Sequence, residues 1–308
     1  MFADYSWPEL GAIFAMQGFA GLILFSVFVL MALGLAIIFG QMGVINMAHG
    51  EFMILGAYVT YLMSNLFSAY MPGLYGIYFF VAMIFAFLAS GALGLLVEWG
   101  MIRHLYKRPL DTLLATWGLS LILQQIYRSV FGAREVGVSI PDWMMGSLPL
   151  TDLIEVPING IFVMILAVSI SLGVYIMMFK SVWGRQVRAI NQNRVMAGAV
   201  GINTEWTDRL TFGIGCGVAG VAGSAFTMIG STGPTAGQLY IVDTFLVVVF
   251  GGAASLLGTI ASAFSISQAQ SIMEFFLSGS MAKVLTLLVV VGILMIRPQG
   301  LFALKLRK

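Results

Sequence analysis

The chain has 308 residues, 60% of them hydrophobic and 9% charged, with a mean hydropathy of +0.98 and a net charge of +2. A soluble domain carries about 25% charged residues, so a soluble globular fold is excluded and a single-domain, all-α membrane helix bundle over residues 1–308 is expected. The lone Cys216 rules out an internal disulfide and speaks against a cysteine metal site, and an N-terminus with Asp4 and Glu9 but no basic cluster argues against a cleaved signal peptide.

A spanning helix needs about 20 apolar residues. Nine candidate spans follow in order, with eight to ten as the range: 11–38, 51–69, 74–102, 112–131, 157–179, 209–229, 240–257, 259–276 and 283–296. Basic residues gather at Arg103, Lys107 and Arg108, at Lys180, Arg185, Arg188, Arg194 and Arg209, and at Arg297, Lys305, Arg307 and Lys308. The acids Asp4, Glu9, Glu135, Asp142, Asp152, Glu155 and Glu274 occupy the alternate connections. The positive-inside rule then places the N-terminus outside and the C-terminus inside.

The stretch Phe39–Tyr61, FGQMGVINMAHGEFMILGAYVTY, interrupts the apolar run with Gln41, Asn46, His49 and Glu51 among Gly40, Gly43 and Gly50. Polar groups and broken backbone at membrane depth are tolerated where they face protein or a cavity. This reads as the wall of a pathway; a cytoplasmic turn between two spans fits the same pattern. His49 and Glu51 lie two apart and cannot share a helical face, so at most one faces a substrate and the other braces the break. Within 112–131, Trp117, Ser120, Gln124 and Arg128 recur at spacings of three and four, which predicts a polar stripe on one face. It serves either a pathway wall or hydrogen bonds between helices.

Residues 132–156 form the longest outer loop, and Trp143, Pro141 and Pro149 suggest an ordered cap. It either receives a soluble partner or merely covers helix ends. Residues 180–208 form the longest inner loop. A short amphipathic helix is expected from about Arg185 to Val200, with Val187, Ile190, Val195, Ala197 and Val200 as its apolar side. Such a helix inserts into a groove on a partner or lies at the lipid interface. The GxxxG spacing of Gly213 and Gly217, followed by Gly220 and Gly223, signals close helix packing. A second interruption, GSTGPTAGQLY over 230–240, precedes Asp243, which is read as either a helix N-cap or a pathway group. Paired interruptions in two halves point to a transport site. The sequence carries no phosphate-binding loop, catalytic triad, metal-ligand cluster or arginine ladder, so no catalytic residue, bound metal, nucleotide hydrolysis in this chain or nucleic-acid partner is expected.

The first interruption resembles a signature of the ATP-binding-cassette (ABC) permeases of the branched-chain amino acid class: Ile45, Asn46, Ala48, His49, Gly50 and Glu51, then Gly56, Ala57 and Tyr58. The inner loop is similar at Gly184, Arg185, Arg188, Ala189, Asn193, Ala197, Gly201 and Ile202, as are Asp243–Thr259 and the ending RPQGLF. Within the class, Arg108–Gln125 looks like the urea-type subgroup, with Asp111, Thr112, Thr116, Trp117 and Gly118 as the distinguishing positions.

The resemblance implies an importer subunit of a bacterial inner membrane. Its partners would be a second related permease, two cytoplasmic ATPases that bind ATP and magnesium, a periplasmic substrate-binding protein and the lipid bilayer. Gly184–Asn203 would be the coupling segment, with Arg185, Arg188, Asn191, Asn193, Arg194, Ala197 and Gly201 at the ATPase contact. The loop 132–156 becomes periplasmic and a candidate for the binding protein. Asn46, His49, Glu51, Tyr58, Trp117, Gln124, Tyr240 and Asp243 are the expected pathway residues. Urea, small and uncharged, suits neutral groups such as those of Asn46, Trp117, Gln124 and Tyr240, and is the expected substrate. The alternatives are a branched-chain amino acid or short-amide permease, and a passive urea channel.

Overall fold

The computed structural model describes residues 7–106, 108–151, 153–297 and 300–301. Asp4, Lys107, Asp152, Lys305, Arg307 and Lys308, with Pro298, Gln299 and Phe302 of the ending, lie outside the described residues. Nine long helices occur among the described residues, one for each apolar segment. They are α1 (Trp7–Met42), α2 (His49–Tyr70), α3 (Tyr78–Gly100), α4 (Pro109–Phe131), α5 (Ile158–Lys180), α8 (Thr204–Phe226), α9 (Ala236–Gly251), α10 (Leu256–Phe276) and α11 (Gly279–Ile296), with the short α6 (Val182–Gln192) and α7 (Arg194–Ala199) between α5 and α8. Among the described residues, six helical stretches are long and apolar enough to cross a membrane: Trp7–Met42, His49–Tyr70, Pro72–His104, Ile158–Lys180, Thr204–Phe226 and Gly279–Ile296. α4, α9 and α10 are not among these six, and α9 has only 16 residues.

The bundle is built around α1 and α8. Every residue from Ser26 to Ile38 is buried, as is nearly every residue from Thr211 to Phe226. Small residues let the backbones close up. A Cβ at Gly215 would come within 2.8 Å of the Gly34 carbonyl, and one at Gly56 would strike the backbone of Gly220. The Gly213 and Gly217 seam receives α3, through Leu95 and Phe87. α2 and α3 pack on α8, while α5 and α10 pack on α1.

The loop over 132–156 departs from an all-α fold. It holds a β-hairpin, β1 (Ser147–Thr151) antiparallel to β2 (Ile154–Pro157), with Leu148 opposite Val156. Pro149 sits in β1, a two-stranded ribbon having free edges where its missing N–H costs nothing. The ordered cap is present: Trp143 Nε1 donates to the Gly76 carbonyl at 2.7 Å, and its ring stacks on Phe80 at 6.1 Å. The hydroxyls of Tyr75 and Tyr78 both donate to the Ser139 carbonyl.

The segment 180–208 departs from the single helix expected over 185–200. Asn193 is extended, and its side chain accepts from the Met196 amide, which ends α6 and starts α7. Asparagine favours such a cap over a helix interior. Val195 and Val200, expected on an apolar face, are instead 81% and 73% exposed.

Candidate translocation site

α1 continues through Gly40 and Gln41, so the first interruption is shorter than its glycines suggest. It turns at Gly43, whose φ of +68° suits glycine after a helix end. The chain then climbs back along α1. His49 Nε2 lies 3.2 Å from the Met31 carbonyl, and its ring covers Gly34, about 12 Å back from the end of α1 at Met42. α2 starts there and runs to the cap, where Ser64 bonds Tyr75.

The second interruption enters from the opposite end. Thr232 exchanges backbone hydrogen bonds with Val136 of the 132–156 loop, both at 2.9 Å. α9 then starts at Ala236 and runs to the other end, where Gly40 packs on Ala253. The two helix starts meet at Gly50 and Gly237. A Cβ at Gly50 would strike the Gly237 carbonyl, and one at Gly237 would lie 2.8 Å from the Gly50 carbonyl carbon. Two helices thus begin at one interior point and leave it in opposite directions.

Glu51 lies at that junction and is 1% exposed. Its Oε1 accepts from Ser120 Oγ at 3.0 Å and from Gln124 Nε2 at 2.8 Å. The Tyr127 hydroxyl donates to the Glu51 carbonyl at 2.9 Å. One turn below, Thr116 Oγ1 accepts from the Met47 amide at 3.1 Å. α4 therefore holds the re-entrant segment through Thr116, Ser120, Gln124 and Tyr127. His49 faces α1 and Glu51 faces α4, so the two side chains point to different neighbours, as their spacing of two requires.

The other expected residues divide. Asn46 is buried; its Oδ1 accepts from the Ala48 amide and its Nδ2 has no partner. Tyr58 is buried on the Glu51 side of α2, stacked on Phe131 at 4.0 Å, with its hydroxyl unpartnered. The polar stripe on α4 is only half buried. Ser120 and Gln124 face inward, whereas Trp117 is 51% exposed and Arg128 is exposed. Trp117 and Arg128 follow Thr116 and Tyr127 in sequence, so each is turned about 100° away from the buried face.

Tyr240 and Asp243 lie further along α9. Tyr240 packs edge-on against Phe28 and Phe226, at 6.5 and 5.1 Å. Asp243 is not a helix cap: Thr235 occupies that position, and Asp243 pairs with Lys283 of α11 at 3.5 Å. Lys283 also sits 5.5 Å over the Tyr240 ring. Sequence reading passed over Lys283, although a lone lysine among apolar residues signals a lone buried acid.

At the basic end, Asn193 and Arg194 fix the segment 180–208. Arg194 pairs with Asp208 at 2.5 Å and lies over the Tyr106 ring. The Tyr106 hydroxyl donates to Glu98 at 2.6 Å, and Glu98 pairs with Arg209 at 3.2 Å. Burial, reinforced by the bond to Glu98, pushes the Tyr106 hydroxyl above the usual tyrosine range. Arg188 donates to the Met178 carbonyl and lies over Phe179, so it ties α6 to α5. Asn191 Nδ2 reaches the Gly40 carbonyl at 3.4 Å, Arg185 is exposed, Ala197 is buried, and Gly201 takes a φ of +89°. A cavity of about 860 Å³ opens here, lined by Gly43, Arg103, Arg108, Asn191 and Arg194.

The family described as the permease component of the branched-chain amino acid transport system matches residues 18–296. The chain belongs to that family. It is 28% identical over 304 residues to the high-affinity branched-chain amino acid transport system permease protein LivH of Escherichia coli K12, covering 94% of this chain and 95% of that protein. LivH of Salmonella typhimurium is 27% identical over 299 residues, covering 94% and 95%. BraD of Pseudomonas aeruginosa, described in the same words, is 26% identical over 292 residues, covering 91% and 93%. No solved structure matches. Each of these relatives is described as a branched-chain amino acid permease, so the expected urea-type assignment finds no support in them.

Proposed function

We propose that the chain is a permease subunit of an ATP-driven importer for branched-chain amino acids in a bacterial inner membrane. The meeting of the two interruptions at Gly50 and Gly237, beside the buried Glu51 cluster, carries this reading. Half-helix starts at mid-depth are the form that substrate sites take in many transporters. The relatives' described substrate replaces urea as the cargo. Seven of the long helices cross the membrane in this reading, and α2 and α9, each together with the interruption before it, complete two further crossings, with the N-terminus outside and the basic end in the cytoplasm. α6 and α7 dock two ATPases, the hairpin cap receives a substrate-binding protein, and a related permease completes the pathway. ATP binding by the partners opens the Gly50–Gly237 junction alternately to each side.

The test is uptake into proteoliposomes holding this chain with its permease partner, ATPases and binding protein. Labelled leucine is expected to accumulate with ATP, and labelled urea is not. Accumulation of urea alone returns the substrate to the urea class. Urea flux through this chain without partners supports the passive channel instead.

A further inference from the structure

Glu51 is the acid at the junction, and its two oxygens differ. Oε1 is held by Ser120 and Gln124. Oε2 is fully buried with no hydrogen-bond partner, and among the described residues no lysine, arginine or histidine pairs with Glu51. A buried carboxylate without a counter-charge is costly, and membrane acids are normally paired. Among the described residues, the other buried acids are paired in this way: Glu98 with Arg209, and Asp208 with Arg194. Glu51 is therefore set apart by a missing partner rather than by burial.

Its surroundings are fixed. Ser120 and Gln124 hold one oxygen, and Tyr127 holds the backbone of Glu51 itself. The start of α9 abuts the carboxylate: a Cβ at Gly237 would lie 3.1 Å from Oε1. The nearby Tyr58 hydroxyl and Asn46 Nδ2 are also buried and unpartnered. The starts of α2 and α9 bring positive partial charge to the same place, which favours an anionic group there. A point with one unpaired negative oxygen and two positive helix ends suits a ligand that carries both signs.

We propose that Oε2 of Glu51 receives the ammonium group of a zwitterionic amino acid as it passes the Gly50–Gly237 junction. The assignment rests on the proposed function. It adds that the passing substrate carries a positive charge, which a neutral amide lacks. The ligand supplies the full counter-charge that the two helix ends provide only in part, so an occupied carboxylate is relieved relative to an empty one.

The experiment compares leucine uptake by the full transporter carrying wild-type chain, Glu51→Gln or Glu51→Asp, each checked for assembly with the ATPases and for melting temperature. Glutamine keeps the hydrogen bonds of Oε1 and removes the charge. Glu51→Gln is expected to lose at least about ten-fold of leucine uptake while remaining assembled, and Glu51→Asp is expected to retain a measurable part. Full leucine uptake by an assembled Glu51→Gln transporter overturns the assignment and leaves the proposed function standing. Wild-type transporter that imports urea but not leucine overturns both. If Glu51→Gln fails to assemble, Glu51→Asp decides alone. It keeps the charge but withdraws it by one methylene, so unchanged uptake counts against the ammonium contact and a several-fold loss supports it.

Discussion

The Gly50 Cα faces the backbone carbonyl of Gly237, with no room for a side chain between them. This contact joins two interruptions that enter the bundle from opposite ends. Neither helix start could approach the other with a Cβ at either position. Gly50→Ala is expected to cost about 3 kcal/mol, because a backbone carbonyl cannot rotate out of the way. Alanine's better helix propensity returns only ~1 kcal/mol. Thermal melting of the purified transporter should fall, and uptake should drop with it. Unchanged melting and uptake would show that the junction is looser than described.

Arg209 answers Glu98, which is buried at 2% exposure, while Arg209 itself is 26% exposed. Arg209→Met leaves the acid with the Tyr106 hydroxyl alone. The expected destabilisation is about 2 kcal/mol, below the value for a fully buried pair because Arg209 is partly solvated. The Glu98→Gln/Arg209→Met double variant should recover part of the loss. A double-mutant cycle on chemical denaturation reads the coupling; strict additivity would mean the pair contributes nothing.

Arg188 and Val195 separate structure from docking. Arg188 holds α6 to the end of α5 through Met178 and Phe179. Arg188→Glu should therefore weaken ATPase association and also lower the melting temperature. Val195 is 81% exposed, so Val195→Glu should weaken ATPase association with melting unchanged. Co-purification of the ATPases together with melting curves distinguishes the two. Wild-type ATPase recovery with Val195→Glu would remove α7 from the docking surface.

Val136 and Thr232 link the cap to the second interruption. Val136→Pro removes the amide that Thr232 accepts from, and so unfastens the cap from the entry to α9. Stimulation of ATPase activity by the binding protein is expected to fall several-fold, with basal ATPase activity retained. Equal stimulation would show that the cap signals by another route.

The long apolar segments were legible because lipid demands them, and each contains a helix. Both interruptions were legible from glycines among polar residues, and their meeting point was not, since a chain carries no record of which distant backbones touch. Gln124 could be placed from its spacing on α4. Trp117 could not, because a stripe read at spacings of three and four fixes a face only to within about one residue, or ~100°. The hairpin escaped notice because Pro149 lies within its first strand. The split of the inner segment turns on the side chain of Asn193, which pattern reading averages away. Lys283 went unnoticed because its partner, Asp243, lies on another helix.

Ser120 offers the most direct test that the junction lies on the translocation pathway. It bonds Glu51, is 2% exposed, and differs from cysteine by one atom. Ser120→Cys in a Cys216→Ala background should be inert to a small hydrophilic thiol reagent at rest. During ATP-driven turnover it should become labelled, and excess leucine should slow the labelling. A chain that transports at the wild-type rate while Ser120→Cys stays unlabelled in every state would contradict a pathway through Gly50 and Gly237.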